Sequence, residues 1–334
     1  MPILGIIASS RFAGSNVIAV AHNVTPFVSA YPWANGFGTK YADPATLPTT
    51  TALAVAFTKQ RDYIALGLSA TPFVEAYSWS AGFGTKYANP ATLPTGTASD
   101  VAFNPAGNAI AVAHTTTPFV TAYPWSAGFG TKYANPATLP TGNGQGVTFN
   151  PAGDVIAIGH ETSPNVSVYP WSAGFGTKYA NPATLPGIAG RGLSFTNAGD
   201  VIAVSSEGTP YIQAYPWSGG FGTKYANPAT LPTGAARTAT FNPVDNALAV
   251  AHFTTPFVSV YPFSAGFGTK YADPATLPAS TGRGVSFSQS GDALAVAHST
   301  TPFVSVYPWS AGFGTKYANP ATLPPSTGND VAFN

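Results

Sequence analysis

With 334 residues and 45% hydrophobic content the chain can bury a large core, yet only 7% of its residues are charged, against about 25% in ordinary globular chains. Its net charge of +1 excludes the strongly basic surface that bulk nucleic-acid binding needs. The absence of cysteine removes disulfides and thiolate metal sites.

The chain opens on Met1-Pro-Ile-Leu-Gly-Ile-Ile-Ala8, which lacks a basic n-region and is too short for a signal peptide. No run approaches the ~20 apolar residues of a membrane-spanning helix, so no membrane insertion is expected. Residues 1–16 are irregular, and their apolar run is Ile3 to Ala8. From Val17 onward one unit recurs without insertion or deletion. Its lysine stands at Lys40, Lys86, Lys132, Lys178, Lys224, Lys270 and Lys316, a step of 46 residues each time. Units of this length bury their apolar faces only against their neighbours, so residues 1–334 read as a single domain.

Within the third unit, Val101 to Phe103 is a short strand ending in Asn104-Pro-Ala-Gly107. Proline at the first central position and glycine where φ is positive predict a tight hairpin turn. The next strand is Ala109 to His114, with Ile110, Val112 and His114 on one face and Ala111 and Ala113 on the other. The third is Phe119 to Trp125. Phe119, Thr121, Tyr123 and Trp125 share a face, opposite Val120 and Ala122. One face is bulky and the other small, which fits a sheet wedged between two unequal neighbours. A fourth element, Lys132 to Pro140, carries two prolines and is expected as an outer edge strand.

Four short strands repeated seven times predict an all-β, seven-bladed β-propeller of four-stranded antiparallel blades. A β-solenoid is the alternative. Val331 to Phe333 is the missing inner strand of the first blade, so the C-terminal strand is expected to close the ring; Ile3 to Ala8 competes for that place.

The Val-Ala-Phe-Asn-Pro-Ala-Gly phrase at 101–107, followed by the Ala-Val-Ala-His and Val-Ser-Val-Tyr strands, resembles a WD40-like or YVTN-type propeller repeat of bacterial or phage type. It departs from WD40 repeats in lacking the Trp-Asp pair, where Tyr261-Pro262 stands, and the Gly-His before the first strand. The resemblance implies a binding platform, by analogy of fold alone.

Columns that vary between units mark candidate sites. The position before the first strand reads Leu53, Ser99, Gln145, Arg191, Arg237, Arg283 and Asn329. Arg191, Arg237 and Arg283, on three consecutive blades, are anion- or ligand-binding candidates at one mouth of the ring, against the plainer reading of solvated loop arginines. His22, His114, His160, His252 and His298 share one column, interrupted by Leu68 and Ser206. No acidic residue accompanies them at ligand spacing. They read as structural, bonded to a neighbouring loop or a nearby tyrosine, with no metal site. Trp33, Trp79, Trp125, Trp171, Trp217 and Trp309, with Phe263 in the sixth unit, recur beside a Gly-rich turn. They are glycan-stacking candidates, or inter-blade packing.

No G-x-S-x-G elbow and no H-E-x-x-H motif is present. The reading favoured at this level is a non-enzymatic binding or structural protein, displayed on a cell exterior or as a phage tail or decoration component. Its partners would be assembly proteins or surface glycan, and no cofactor is expected. The alternative is a lectin-like glycan-binding module. A lactonase-like enzyme ranks last, because Ser, Gln, Asn, Arg and Gly beside the inner strands offer no acid/base pair.

Overall fold

The computed structural model describes residues 16–244 and 246–334. The strands are β1 (Asn16–His22) and β2 (Val28–Trp33), then β3 (Ala52–Phe57), β4 (Tyr63–Leu68), β5 (Val74–Trp79) and β6 (Phe83–Lys86). Next come β7 (Ala98–Phe103), β8 (Ala109–His114), β9 (Val120–Pro124), β10 (Gly144–Phe149), β11 (Val155–His160) and β12 (Val166–Pro170). Then β13 (Gly190–Phe195), β14 (Val201–Ser206), β15 (Ile212–Pro216), β16 (Ala236–Phe241), β17 (Ala247–His252) and β18 (Val258–Pro262) follow. Last are β19 (Gly282–Phe287), β20 (Ala293–His298), β21 (Val304–Pro308) and β22 (Gly328–Phe333).

These strands form seven separate antiparallel sheets in a propeller-like arrangement. The expectation of seven four-stranded blades is corrected: among the described residues six sheets have three strands, only β3–β6 has four, and no sheet closes on itself as a barrel. The physical reason lies in the outer segment. In six units a proline (Pro32, Pro124, Pro170, Pro216, Pro262 or Pro308) is the last or next-to-last residue of the third strand, and it has no N–H to give to a ladder. Beyond it the outer segment makes an isolated bridge, such as Trp125 to Phe129, and single backbone bonds, such as the Tyr133 N–H to the Ala122 carbonyl at 2.9 Å, without a continuous ladder. The Lys132 to Pro140 segment is accordingly no strand. In the second unit Ser78 replaces the proline, and its Oγ accepts a bond of 2.9 Å from the Thr85 N–H. Fully buried Glu75 pairs with Lys86 at 2.7 Å and draws residues 83–86 alongside β5.

The inner strands touch in sequence from β3 through β7, β10, β13, β16 and β19 to β22, and β22 touches β3. β22 pairs antiparallel with β1. Asn334 fastens that join: its N–H donates to the Val17 carbonyl at 3.0 Å, and its Oδ1 accepts from the Val17 N–H at 2.7 Å. Ile3 to Ala8 lies outside the described residues. The strand over 119–125 is also corrected at its start. Phe119 sits at φ 70° in the left-handed region, so it is a turn residue, and β9 begins at Val120.

The core lies between sheets. Ile110 and Val112 of the third sheet pack on Ala65 and Ala76 of the second, while Ala109, Ala111 and Ala113 receive Ile156 and Ile158 of the fourth. Large faces thus meet small faces around the ring, and apolar burial of this kind is worth roughly 25 cal/mol per Å².

Candidate functional site

Each inner strand carries a register break near its start. In the third sheet it falls between Ala98 and Asp100, in the fifth between Gly190 and Leu193, and in the seventh between Gly282 and Gly284. A bulge leaves one residue unpaired and re-aims its side chain. That residue is the arginine column. Leu53, Ser99, Gln145, Arg191, Arg237, Arg283 and Asn329 therefore sit inside the strands, not before them, and all seven line one cavity of about 140 Å³ at the ring's centre. Close approach of the strands there needs glycine: a Cβ on Gly146 would lie 2.1 Å from the Arg191 carbonyl oxygen.

The same cavity is lined by Asp100 and Asp330, which sequence reasoning missed. Asp100 falls just outside the short strand read from Val101 to Phe103 and Asp330 just outside that read from Val331 to Phe333, and the bulge brings each into its strand. The signal was the neighbouring column, Ala54, Asp100, Gly146, Gly192, Thr238, Gly284 and Asp330, which also varies from unit to unit. Each carboxylate also laces strands together. Asp100 accepts from the Val101 N–H and from the Val147 N–H on β10, both at 2.8 Å. Asp330 accepts from the Val55 N–H on β3 at 3.0 Å. Burial, and then the charge of Asp330, raises Asp100 to about 7. Burial raises Asp330 to about 6, against the lowering pull of its backbone donors.

Arg191 hydrogen-bonds to Gln145 and pairs with Glu207. Arg283 donates from Nε to Ser299 at 2.8 Å. Arg237 lies between them, its guanidinium carbon 5.0 Å from the centre of the Phe253 ring. Burial first, and then the like charges of Arg191 and Arg283, lower Arg237 to about 10. The structure thus brings the three arginines into one cavity with two carboxyls that burial raises to about 7 and about 6. The sequence reading placed no carboxyl there.

The other candidates lie elsewhere. Trp33, Trp79, Trp125, Trp171, Trp217 and Trp309 are 3–6% exposed. Each is enclosed edge-on by aromatic neighbours. Trp125, for example, meets Tyr63, Tyr87, Phe103 and Phe129 within 5.4 Å. No indole face is free for a sugar ring, and these residues pack the sheets together. The five histidines are buried in separate sheets. Their Nε2 atoms bond Ser29, Thr121, Ser167, Ser259 and Ser305 at 2.9–3.0 Å. The Nε2 partner is thus a hydroxyl on the adjacent strand and not a tyrosine, while Nδ1 of His160 bonds the loop carbonyl of Thr162 at 2.8 Å. Tyr123, for instance, donates to the Thr92 carbonyl instead. Among the described residues no group of three or more His, Cys, Asp or Glu gathers at metal-ligand spacing.

No protein-family model matches the sequence, and no curated protein matches it. Solved structures do share its fold. A Bacteroides fragilis protein provisionally named a 6-phosphogluconolactonase superposes with a TM-score of 0.76 at 13% identity, over 97% of this chain and 99% of its own. The periplasmic gluconolactonase of Pseudomonas aeruginosa gives 0.71 at 13% identity, over 96% and 99%. A Lactobacillus plantarum protein gives 0.72 at 15% identity, over 96% and 100%. These likenesses correct the resemblance to WD40-like, YVTN-type or phage-type repeats: the architecture is that of structures carrying lactonase names. They also overturn the expectation of a non-enzymatic display, phage-particle or glycan-binding protein. At such identities what this chain is similar to is a fold, the propeller-like scaffold on which lactonases are found.

Proposed function

We propose that this chain is a hydrolase that opens the ring ester of a small lactone at the central cavity. One observation carries the reading: Asp100 and Asp330, at about 7 and about 6, share a cavity with Arg191, Arg237 and Arg283. The fold it shares with a gluconolactonase supports the same reaction class.

Lactone opening needs a base to take a proton from the attacking water, a donor for the oxyanion on the former carbonyl, and an acid for the departing alkoxide. A carboxyl poised near neutral pH serves both proton transfers: Asp100 accepts the water proton as carboxylate and returns it to the ring oxygen. Burial, and then the charge of Asp330, hold Asp100 in that range. An arginine opposite supplies N–H donors for the oxyanion. A place outside the cytoplasm belongs to this proposal, supported by the periplasmic Pseudomonas protein of the same fold.

The test is hydrolysis of a panel of five- and six-membered lactones, glucono-δ-lactone included, followed by pH-stat above the spontaneous rate. Asp100→Asn is expected to lower kcat by roughly 10²-fold or more, the usual worth of a positioned base. Absence of turnover on every lactone, or full activity in the variant, would overturn the proposal.

A further inference from the structure

Around the mouth, in five of the seven sheets the bulged residue of the inner strand is met by the first residue after the middle strand of its own sheet. Gln145 donates to Glu161 at 2.8 Å, Arg191 pairs with Glu207, Arg283 donates to Ser299, and Asn329 donates to Asn23 at 2.6 Å. The sixth sheet breaks the pattern. Arg237 meets Phe253, an aromatic ring, and its Nε is buried without a hydrogen-bond partner. Of the three arginines in the cavity, it is the one whose guanidinium meets neither a carboxylate nor a hydroxyl.

We propose that Arg237 seats the carboxylate of a small ligand. The Phe253 ring lies against the guanidinium without taking any of its N–H donors, and arginine binds a planar, two-oxygen carboxylate with two parallel N–H donors. Neighbouring charge argues for a single negative charge on the ligand. Glu207 already neutralises Arg191, and a second anionic charge would face Asp100 and Asp330 across the same cavity. The cavity of about 140 Å³ suits a compact molecule. Opening a lactone converts its ester into a hydroxy acid, so every turnover creates such a carboxylate. That link to turnover rests on the hydrolase reading; the seat itself does not.

Calorimetric titration tests it, with D-gluconate as probe and D-glucose and inorganic phosphate as comparisons. Wild-type protein is expected to bind gluconate saturably, phosphate more weakly, and glucose not at all. Arg237→Gln should weaken gluconate by about 10- to 100-fold, the worth of hydrogen bonds to a charged partner. Arg237→Lys, which keeps the charge and loses the paired donors, should fall in between, and it reads the same loss should the glutamine variant fail to fold. No gluconate binding, equal binding by the variants, or tighter binding of phosphate would each overturn the seat. Lactone turnover without gluconate binding removes the seat and leaves the hydrolase standing; gluconate binding without turnover does the reverse.

Discussion

Burial holds each of the five column histidines neutral, lowered from the ordinary 6.5 to about 4. His160 shows the geometry of the neutral ring: Nδ1–H donates to the Thr162 carbonyl at 2.8 Å, and Nε2 accepts from the Ser167 hydroxyl. An unfolded chain takes up five protons between pH 6.5 and 4 that the folded chain refuses. Stability from this source is therefore complete above about pH 6.5 and is lost as pH falls toward 4. Asp100 and Asp330 act with the opposite sign. Raised to about 7 and about 6, they hold protons in the fold that unfolded carboxyls release above 3.8, so they favour folding as pH falls. Five groups outweigh two, and the net slope is a loss of at most about 4 kcal/mol per pH unit on acidification. Urea midpoints taken from pH 7 to pH 5 should fall steadily; a flat or rising series would refute the assignment. The column was legible in the sequence because all five share one register and one strand face. The hydroxyl partner was less so, because Ser and Thr seven residues on lie in a strand whose start was misplaced at Phe119.

Among the sheet elements, β6 is the exception that explains the others. Its unit departs from the repeat at several positions, three of which bear on this strand: Leu68 in place of His, Glu75 in place of Ser, Thr or Gln, and Ser78 in place of Pro. Glu75 is fully buried and takes bonds from Lys86, Thr49 and Tyr77. Elsewhere the equivalent lysine reaches an Asp or Asn three residues on, as Lys40 does with Asp43 and Lys224 with Asn227. Lys86→Met strands a buried carboxylate and should cost roughly 3–5 kcal/mol. The triple variant Leu68→His, Glu75→Ser, Ser78→Pro restores the common pattern; it should stay folded and lose amide protection at residues 83–86. Chemical denaturation and hydrogen exchange check both outcomes, and a Lys86→Met protein of unchanged stability would show the pair to be idle. Strand periodicity made the first three strands of every unit legible. The outer segment was misread because its own prolines marked it as an edge, while the decisive proline stood one strand earlier. Asp100 and Asp330 escaped for a related reason: a bulge adds a residue to the strand and leaves no trace in an alternating pattern.

For the whole molecule, the join between β1 and β22 is, among the described residues, the one place where residues far apart in sequence complete a sheet. Ending the chain at residue 327 would remove β22, with Asp330 and Asn334, and leave β1 with an open edge. Such a protein should melt many degrees lower or pair its bare edge with a second copy. Thermal unfolding and light scattering would show it, and a monomer melting like the full chain would contradict the role given to β22. The break in the covalent circuit therefore falls within a ladder of hydrogen bonds, and not between two packed faces. Water can enter a face-to-face contact gradually, whereas a ladder clamped at Val17 by Asn334 has to part along its length before the circle can open. What this feature governs is the time scale of unfolding: a barrier at a single clasp, which slows escape from the native state more than it deepens it.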